Sequence, residues 1–177
     1  FREVEAYSIS DIERQTKTLI NKGFFEKCNP DKNLYRAMCF EKKNADFVEL
    51  GHWEKIHFFT TDAHSFKEVP HRLFFWNKGC KSFVGYIDVK RSFEIKKGGK
   101  EVSDYFRDFY FYPFKEEAAH YKKSMCLVYS RFNEISESQG RELYSYLRKN
   151  DRYHLGQTSE KIDDVKDMRK INKIIGV

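Results

Sequence analysis

Four groups of residues in the second half of the chain carry side chains that could do chemistry. They are Cys126 within Met125–Val128, Glu134, the run Gln139-Gly140-Arg141, and Ser159-Glu160-Lys161. The stretch Met125–Lys161 reads as a buried strand, a tight connection ending at Gly140, an amphipathic helix, and a short strand running into Ser159. A strand that feeds a glycine turn and then a helix gathers free backbone N–H groups and the positive end of a helix dipole at one point. That is the outline of a site for a phosphate-bearing ligand. Glu134 would serve as a general base in a cleft; on the surface it is a carboxylate opposing a helix dipole. Cys126, read from the strand alone, is a small buried hydrophobe, which is what free Cys usually is. Arg141, Lys149 and Lys161 would meet cofactor phosphates or an acidic protein surface, and each also fits a solvated helix position.

The elements that must position these groups follow from the pattern. Ser10-Asp11-Ile12-Glu13 has the S-x-x-E form of a capping box, Ile12, Leu19 and Ile20 recur on one face, and Gly23 can close the turn. These predict a helix over 10–22. Turn residues fill Asn29–Lys32, Leu34–Phe40 has strand character, and Asn44–Lys55 fits a second helix interrupted by Gly51. His71–Trp76 and Ser82–Val89 read as antiparallel strands joined at Asn77-Lys78-Gly79. Arg91–Ile95, Asp108–Phe114 and Met125–Phe132 read as further strands, with a turn at Gly98-Gly99. Ser136-Glu137-Ser138-Gln139 is again a capping box, and Leu143, Tyr146 and Leu147 supply a buried helix face. Ile162, Val165, Met168, Ile171 and Ile175 predict a last helix near Glu160–Ile175. Helices at both ends with strands between them argue for an α/β (α+β) fold with a mixed, mostly antiparallel sheet.

The chain of 177 residues is read as one domain, large enough to bury most of a core. Aromatic residues make up 17% of it, so that core is built from rings as much as from aliphatic side chains. Thirty-three Lys and Arg against 27 Asp and Glu leave a charge of +6, dispersed along the chain. Such a balance describes a solvated surface first, and it favours anionic partners: cofactor phosphates, an acidic protein surface, or RNA. The four cysteines form no C-x-x-C pair and the six histidines show no H-x-x-x-H or H-E-x-x-H spacing, so no metal site is predicted. Reduced intracellular thiols are the expectation. No apolar run approaches the ~20 residues of a membrane span, so no membrane partner is expected. Phe1 opens the chain without a signal-peptide pattern, and the absent initiating Met reads as the mark of a fragment.

Several short segments, in order, resemble the α-tubulin N-acetyltransferases, a branch of the GNAT superfamily that uses acetyl-CoA. They are Thr60–Phe66, Leu73-Phe74-Phe75 with Val84–Val89, Met125–Val128, Phe132-Asn133-Glu134, Gly140–Tyr144 and Ser159-Glu160-Lys161. The resemblance spans residues 60–161 and leaves 1–59 poorly matched. It implies a single GNAT-like domain that transfers acetyl from acetyl-CoA to a protein lysine, with α-tubulin or another protein as partner and a cytoplasmic, microtubule- or cilium-associated location. It also implies that Gln139, Gly140, Arg141, Ser159 and Lys161 bind the cofactor, with Cys126 and Glu134 at the reacting centre. The chain departs from that pattern in two places. The cofactor loop is two residues shorter and keeps only its last glycine, and no Asp–Arg pair precedes Ser159, where Leu155-Gly156-Gln157-Thr158 stands. These losses fit an inactive relative that binds microtubules or another protein.

A second resemblance belongs to another functional class. Arg36–Trp53, followed by His71–Trp76, Ser82–Val89 and the terminal helices, is similar in order to the PUA-like RNA readers of the YTH and EVE type, which hold a modified base between aromatics. It implies Trp53 and Trp76 as stacking residues, with the positive charge meeting the RNA backbone. Core packing is the plainer role of both tryptophans.

Overall fold

The computed structural model describes residues 9–40, 57–62, 68–77, 79, 81–96, 110–112, 124–129, 132–156 and 159–177. The chain forms two compact units, each assembled from separated segments: Phe1–Pro30, Trp53–Val69 and Val89–Arg131 in one, Asp31–His52, Pro70–Asp88 and Phe132–Val177 in the other. Among the described residues no helix is long and apolar enough to cross a membrane.

The first unit opens with helix α1 (Ile9–Asn21). Its end is set by Gly23, at φ 78, whose N–H reaches the Ile20 carbonyl while Phe24 N–H reaches that of Leu19. That paired closure needs a left-handed residue, and glycine takes it without a Cβ penalty. Strand β1 (Phe25–Cys28) follows. The sheet is completed by β3 (His57–Asp62), β6 (Arg91–Ile95), β7 (Tyr110–Tyr112) and β8 (Ser124–Tyr129), in the order β1-β6-β8-β3-β7. All of its pairs are antiparallel except β3 with β7. Phe25 and Phe93 stack at 5.3 Å between centroids, and Leu19, Ile95, Met125 and Leu127 are buried in this unit.

The second unit has the sheet β10-β2-β4-β5-β9, built from β2 (Asp31–Phe40), β4 (Pro70–Asn77), β5 (Ser82–Asp88), β9 (Phe132–Glu134) and β10 (Glu160–Ile162). Only β2 and β4 run parallel. Helices α2 (Glu137–Lys149) and α3 (Val165–Ile175) complete the unit. Its core gathers Tyr35, Ala37, Phe74, Trp76 and Phe83 from the sheet with Leu143, Leu147, Ile171 and Ile174 from the helices. Alternate strand residues thus share one face while Leu143/Leu147 and Ile171/Ile174 repeat at helical spacing, the two periods that amphipathic elements require. Ser136 caps α2 with Gln139 completing the box, and Asp164 caps α3.

The mixed α+β architecture, mostly antiparallel with flanking helices, agrees with the pattern-based expectation, as do α1, the β4–β5 hairpin and the capped α2. Three elements differ. Met125–Phe132 is not one strand: β8 belongs to the first sheet, and Phe132 begins β9 in the second. Asp31 and Lys32 already lie in β2 rather than in a turn. Ile162 lies in β10, so the last helix starts at Val165, where the Asp164 side chain can take up a free N–H. The predicted helix over Asn44–Lys55 and the turn at Gly98-Gly99 fall outside the described residues.

Candidate nucleic-acid interface

Three polar constellations stand out in the second unit, and what each has for partners separates them. The first is built on Arg72 of β4. Its guanidinium bonds Asp88 at 2.8 Å, donates to the Tyr35 hydroxyl at 3.4 Å, and lies over the rings of Tyr86 and Tyr35 at 4.8 and 5.5 Å. Tyr35 passes the chain on, donating to Asn172 of α3 at 2.7 Å. Burial alone would pull the Arg72 pKa down, but the hydrogen bond and charge of Asp88 outweigh it and hold it above its ordinary value. This cation is committed to joining sheet and helix.

The second is centred on Asp167, 2% exposed. It accepts from the Tyr146 hydroxyl at 2.7 Å, the Tyr153 hydroxyl, Arg152 at 2.6 Å and the Asn150 amide at 3.4 Å. Arg152 also reaches Asp164 at 2.9 Å. The hydrogen bond to Asp167, followed by burial, pushes the Tyr146 hydroxyl up to about 12; burial, followed by that same acceptor, raises Tyr153. A buried carboxylate with four donors is satisfied, and its role is to bind the end of α2 to the start of α3.

The third is open. Gly140, Tyr144 and Arg148 follow one another at i, i+4 and i+8 along α2, so they lie on one line of the helix. At Gly140 the helix presses against β5: a Cβ there would stand 2.1 Å from the Phe83 carbonyl oxygen and 2.6 Å from Ser82 Oγ. One turn on, the Tyr144 ring packs on Trp76 at 5.8 Å and on Phe83 at 6.5 Å. A further turn brings Arg148 and Lys149 to the rim of a cavity of about 250 Å³, lined also by Tyr144, Ser145 and Lys81. Lys81 comes from the β4–β5 turn. There Asn77 accepts from Gly79 N–H through its side chain and from Lys81 N–H through its carbonyl, which leaves Lys81 at φ 50. Among the described residues, no carboxylate pairs with Lys81, Arg148 or Lys149. Arg148 and Lys149 also offset the negative end of the α2 dipole, a role any helix would give them. Lys81 is on no helix and has no such reason to be there.

No family model and no curated protein sequence matches the chain. Solved structures that it resembles include the ASCH protein of Zymomonas mobilis and two single-residue variants of it. One variant gives a TM-score of 0.55 at 13% identity over 82% of this chain and 99% of that one. The other gives 0.53 at 12% over 78% and 96%, and the unmutated protein 0.55 at 11% over 78% and 94%. The fold is that of the ASCH proteins.

That finding overturns the acetyltransferase resemblance. ASCH proteins have the PUA-like fold, not the GNAT fold, so acetyl transfer to a tubulin lysine, the inactive microtubule-binding variant of it, and the tubulin partner fall with it. The physical reason lies in the sheets. An acetyltransferase reading needs the Cys126 strand to lead into the Gly140 helix, but Cys126 sits on the middle strand of one sheet, in register with Phe93 and Thr60, while β9 in the other sheet precedes α2. Gly140 is inside the helix rather than in a loop ahead of it, and its missing side chain is what lets α2 touch β5.

The residues named from sequence are distributed as follows. Gln139 is spent on the capping box with Ser136. Arg141 is exposed and paired with Glu137 one turn back. Ser159 accepts from the buried Arg36 guanidinium at 3.2 Å. Lys161 stands opposite Arg36 in the β10–β2 ladder, 3.7 Å from Asp163. Glu134 is exposed at the end of β9. Gly140 shares α2 with the open cavity, and among the basic residues considered Lys149 lines it. Trp76 is 4% exposed and forms the floor beneath Tyr144, a core role; Trp53 lies outside the described residues. Lys81, Tyr144 and Arg148 were missed. The signal available for them was a lysine in the hairpin turn and an i, i+4 repeat running from Gly140.

Proposed function

We propose that this chain is an RNA-binding domain of the PUA-like kind, and that the cavity lined by Lys81, Tyr144, Ser145, Arg148 and Lys149 is where RNA is held. The observation that carries the reading is that Lys81, Arg148 and Lys149, none of them paired with a carboxylate among the described residues, line one cavity with a tyrosine ring packed against Trp76 and Phe83. Phosphates supply the anion such cations lack, and their neutralisation releases counterions from the strand. A braced tyrosine supplies a stacking surface worth about 1–3 kcal/mol per base. The ASCH-type fold and the +6 charge support the same class of partner. The Arg72 and Asp167 clusters contribute by holding sheet and helices together, so the cavity rim is preorganised.

Cross-linking tests this. RNA carrying 4-thiouridine, bound in low salt and irradiated, is expected to form adducts on or beside Tyr144. Adducts confined to other parts of the chain, or no adducts above an irradiated control protein, would refute the assignment.

A further inference from the structure

We infer that the cavity at Tyr144 reads the phosphorylated end of a single strand, a nucleotide whose base lies on the tyrosine ring while its terminal phosphate is held by Lys81, Arg148 and Lys149. The inference rests on the RNA-binding reading above and names the part of the RNA that this site takes.

Size is the first argument. At about 250 Å³ the cavity falls below the range of roughly 300–1,000 Å³ that encloses a whole drug-sized ligand, so it has room for the end of one nucleotide rather than for an extended segment. The second argument is access. The Tyr144 ring is held by tilted contacts with Trp76 and Phe83, at 51° and 53°, and borders the cavity, which makes it the aromatic group there that a base would meet. A base inside a duplex has both faces covered by its neighbours; an unpaired base at a strand end has one free.

Charge is the third argument, and it separates an end from the interior of a strand. Lys81, Arg148 and Lys149 supply three positive charges, and no acidic residue lines the cavity among the described residues. Arg148 and Lys149 stand in the last turn of α2, whose carbonyl end carries about half a negative charge. The balance is about +2.5. An internal phosphodiester bears a single negative charge, whereas a terminal phosphomonoester bears about 1.5 to 2 and exposes three strong acceptor oxygens. The arginine fork grips two of these side by side, and the lysines act as point charges on the remainder.

The test measures the affinity of the full chain for one short RNA sequence in four forms: 5′-phosphorylated, 3′-phosphorylated, hydroxyl-ended, and annealed into a blunt duplex. The matching mononucleotide is a fifth ligand. One phosphorylated single strand is expected to bind at least about tenfold tighter than the hydroxyl-ended strand, the effect of one charge-assisted hydrogen bond, and tighter than the duplex. That advantage is expected to vanish in Lys81→Asn and in Arg148→Ala, with folding checked by thermal melting. Asparagine is chosen at Lys81 because it tolerates the positive φ. Equal affinity for phosphorylated and hydroxyl ends would overturn the inference while leaving RNA binding intact. A mononucleotide bound as tightly as the strand end would overturn it in favour of a free-nucleotide site. Failure of every form to bind would instead sink the RNA reading on which it rests.

Discussion

Replacing Gly140 with alanine is expected to destabilise the second unit, although alanine is the better helix former. On an open helix surface the change would gain about 1 kcal/mol. Here the new methyl group meets the Phe83 carbonyl oxygen at 2.1 Å and Ser82 Oγ at 2.6 Å. The serine hydroxyl can rotate, but the carbonyl belongs to β5, whose ladders to β4 and β9 hold it in place. Overpacking of this kind costs about 1–3 kcal/mol, and a backbone partner puts it at the upper end, for a net loss of about 2 kcal/mol. For a chain of this size that lowers Tm by roughly 4–8 °C. Urea and thermal unfolding of wild type and Gly140→Ala measure it, with Gly156→Ala as control because the nearest atom there is 3.9 Å away. RNA affinity is expected to fall with stability, since lifting α2 from β5 moves Tyr144 and Arg148 away from Lys81. A Gly140→Ala protein as stable as wild type, or more so, would refute the seating of α2 on which the cavity depends.

Other consequences follow from the buried Asp167. Asp167→Asn removes the charged acceptor from two tyrosines, an arginine and an amide at once; about 2–4 kcal/mol of stability is expected to be lost, read by urea denaturation. Arg152→Ala is expected to cost less, because that side chain is 56% exposed and water replaces its bonds. Alkali acts through the same cluster. Tyr146, held near 12 by the Asp167 hydrogen bond and by burial, and Tyr153, raised by burial and then by Asp167, both keep their protons in the fold after the unfolded chain has lost them. The unfolded state therefore binds fewer protons, so the stabilisation is complete below about pH 10 and is lost as pH rises through the folded value near 12. Tyrosinate absorbance and denaturant midpoints followed together would show this; a stability independent of pH between 10 and 12 would contradict it.

Local signals were legible in the sequence where the physics is local. Gly23 closing α1, the turn after Asn77, and the Ser136 box with Leu143 and Leu147 each depend on residues within one or two turns of the chain. What stayed hidden depends on pairing across distance. Nothing in Met125–Phe132 reports that the chain leaves one sheet between Tyr129 and Phe132, since only Ser130-Arg131 separates the two and neither is a turn-forming Gly or Pro. The parallel pairing of β2 with β4 joins residues more than thirty positions apart and has no periodicity of its own. Gly140-Arg141-Glu142-Leu143 misled for a related reason. A capped helix start followed by a packing glycine is a solution many folds share, and its letters resemble a cofactor motif without its loop. The cavity was half visible: Lys149 was among the basic candidates, but Lys81 gains meaning only when the hairpin turn is set beside the end of α2.

The most direct test of RNA binding at this site is the salt dependence of affinity for a single-stranded oligonucleotide, compared between wild type and a Lys81→Asn, Arg148→Ala, Lys149→Ala triple variant. Each phosphate contact contributes about −0.7 to the slope of log K against log salt for single strands. We expect a clear negative slope for wild type, reduced by at least about 0.7 in the triple variant, together with weaker binding at every salt concentration. Equal slopes and affinities for the two proteins would contradict the proposed interface.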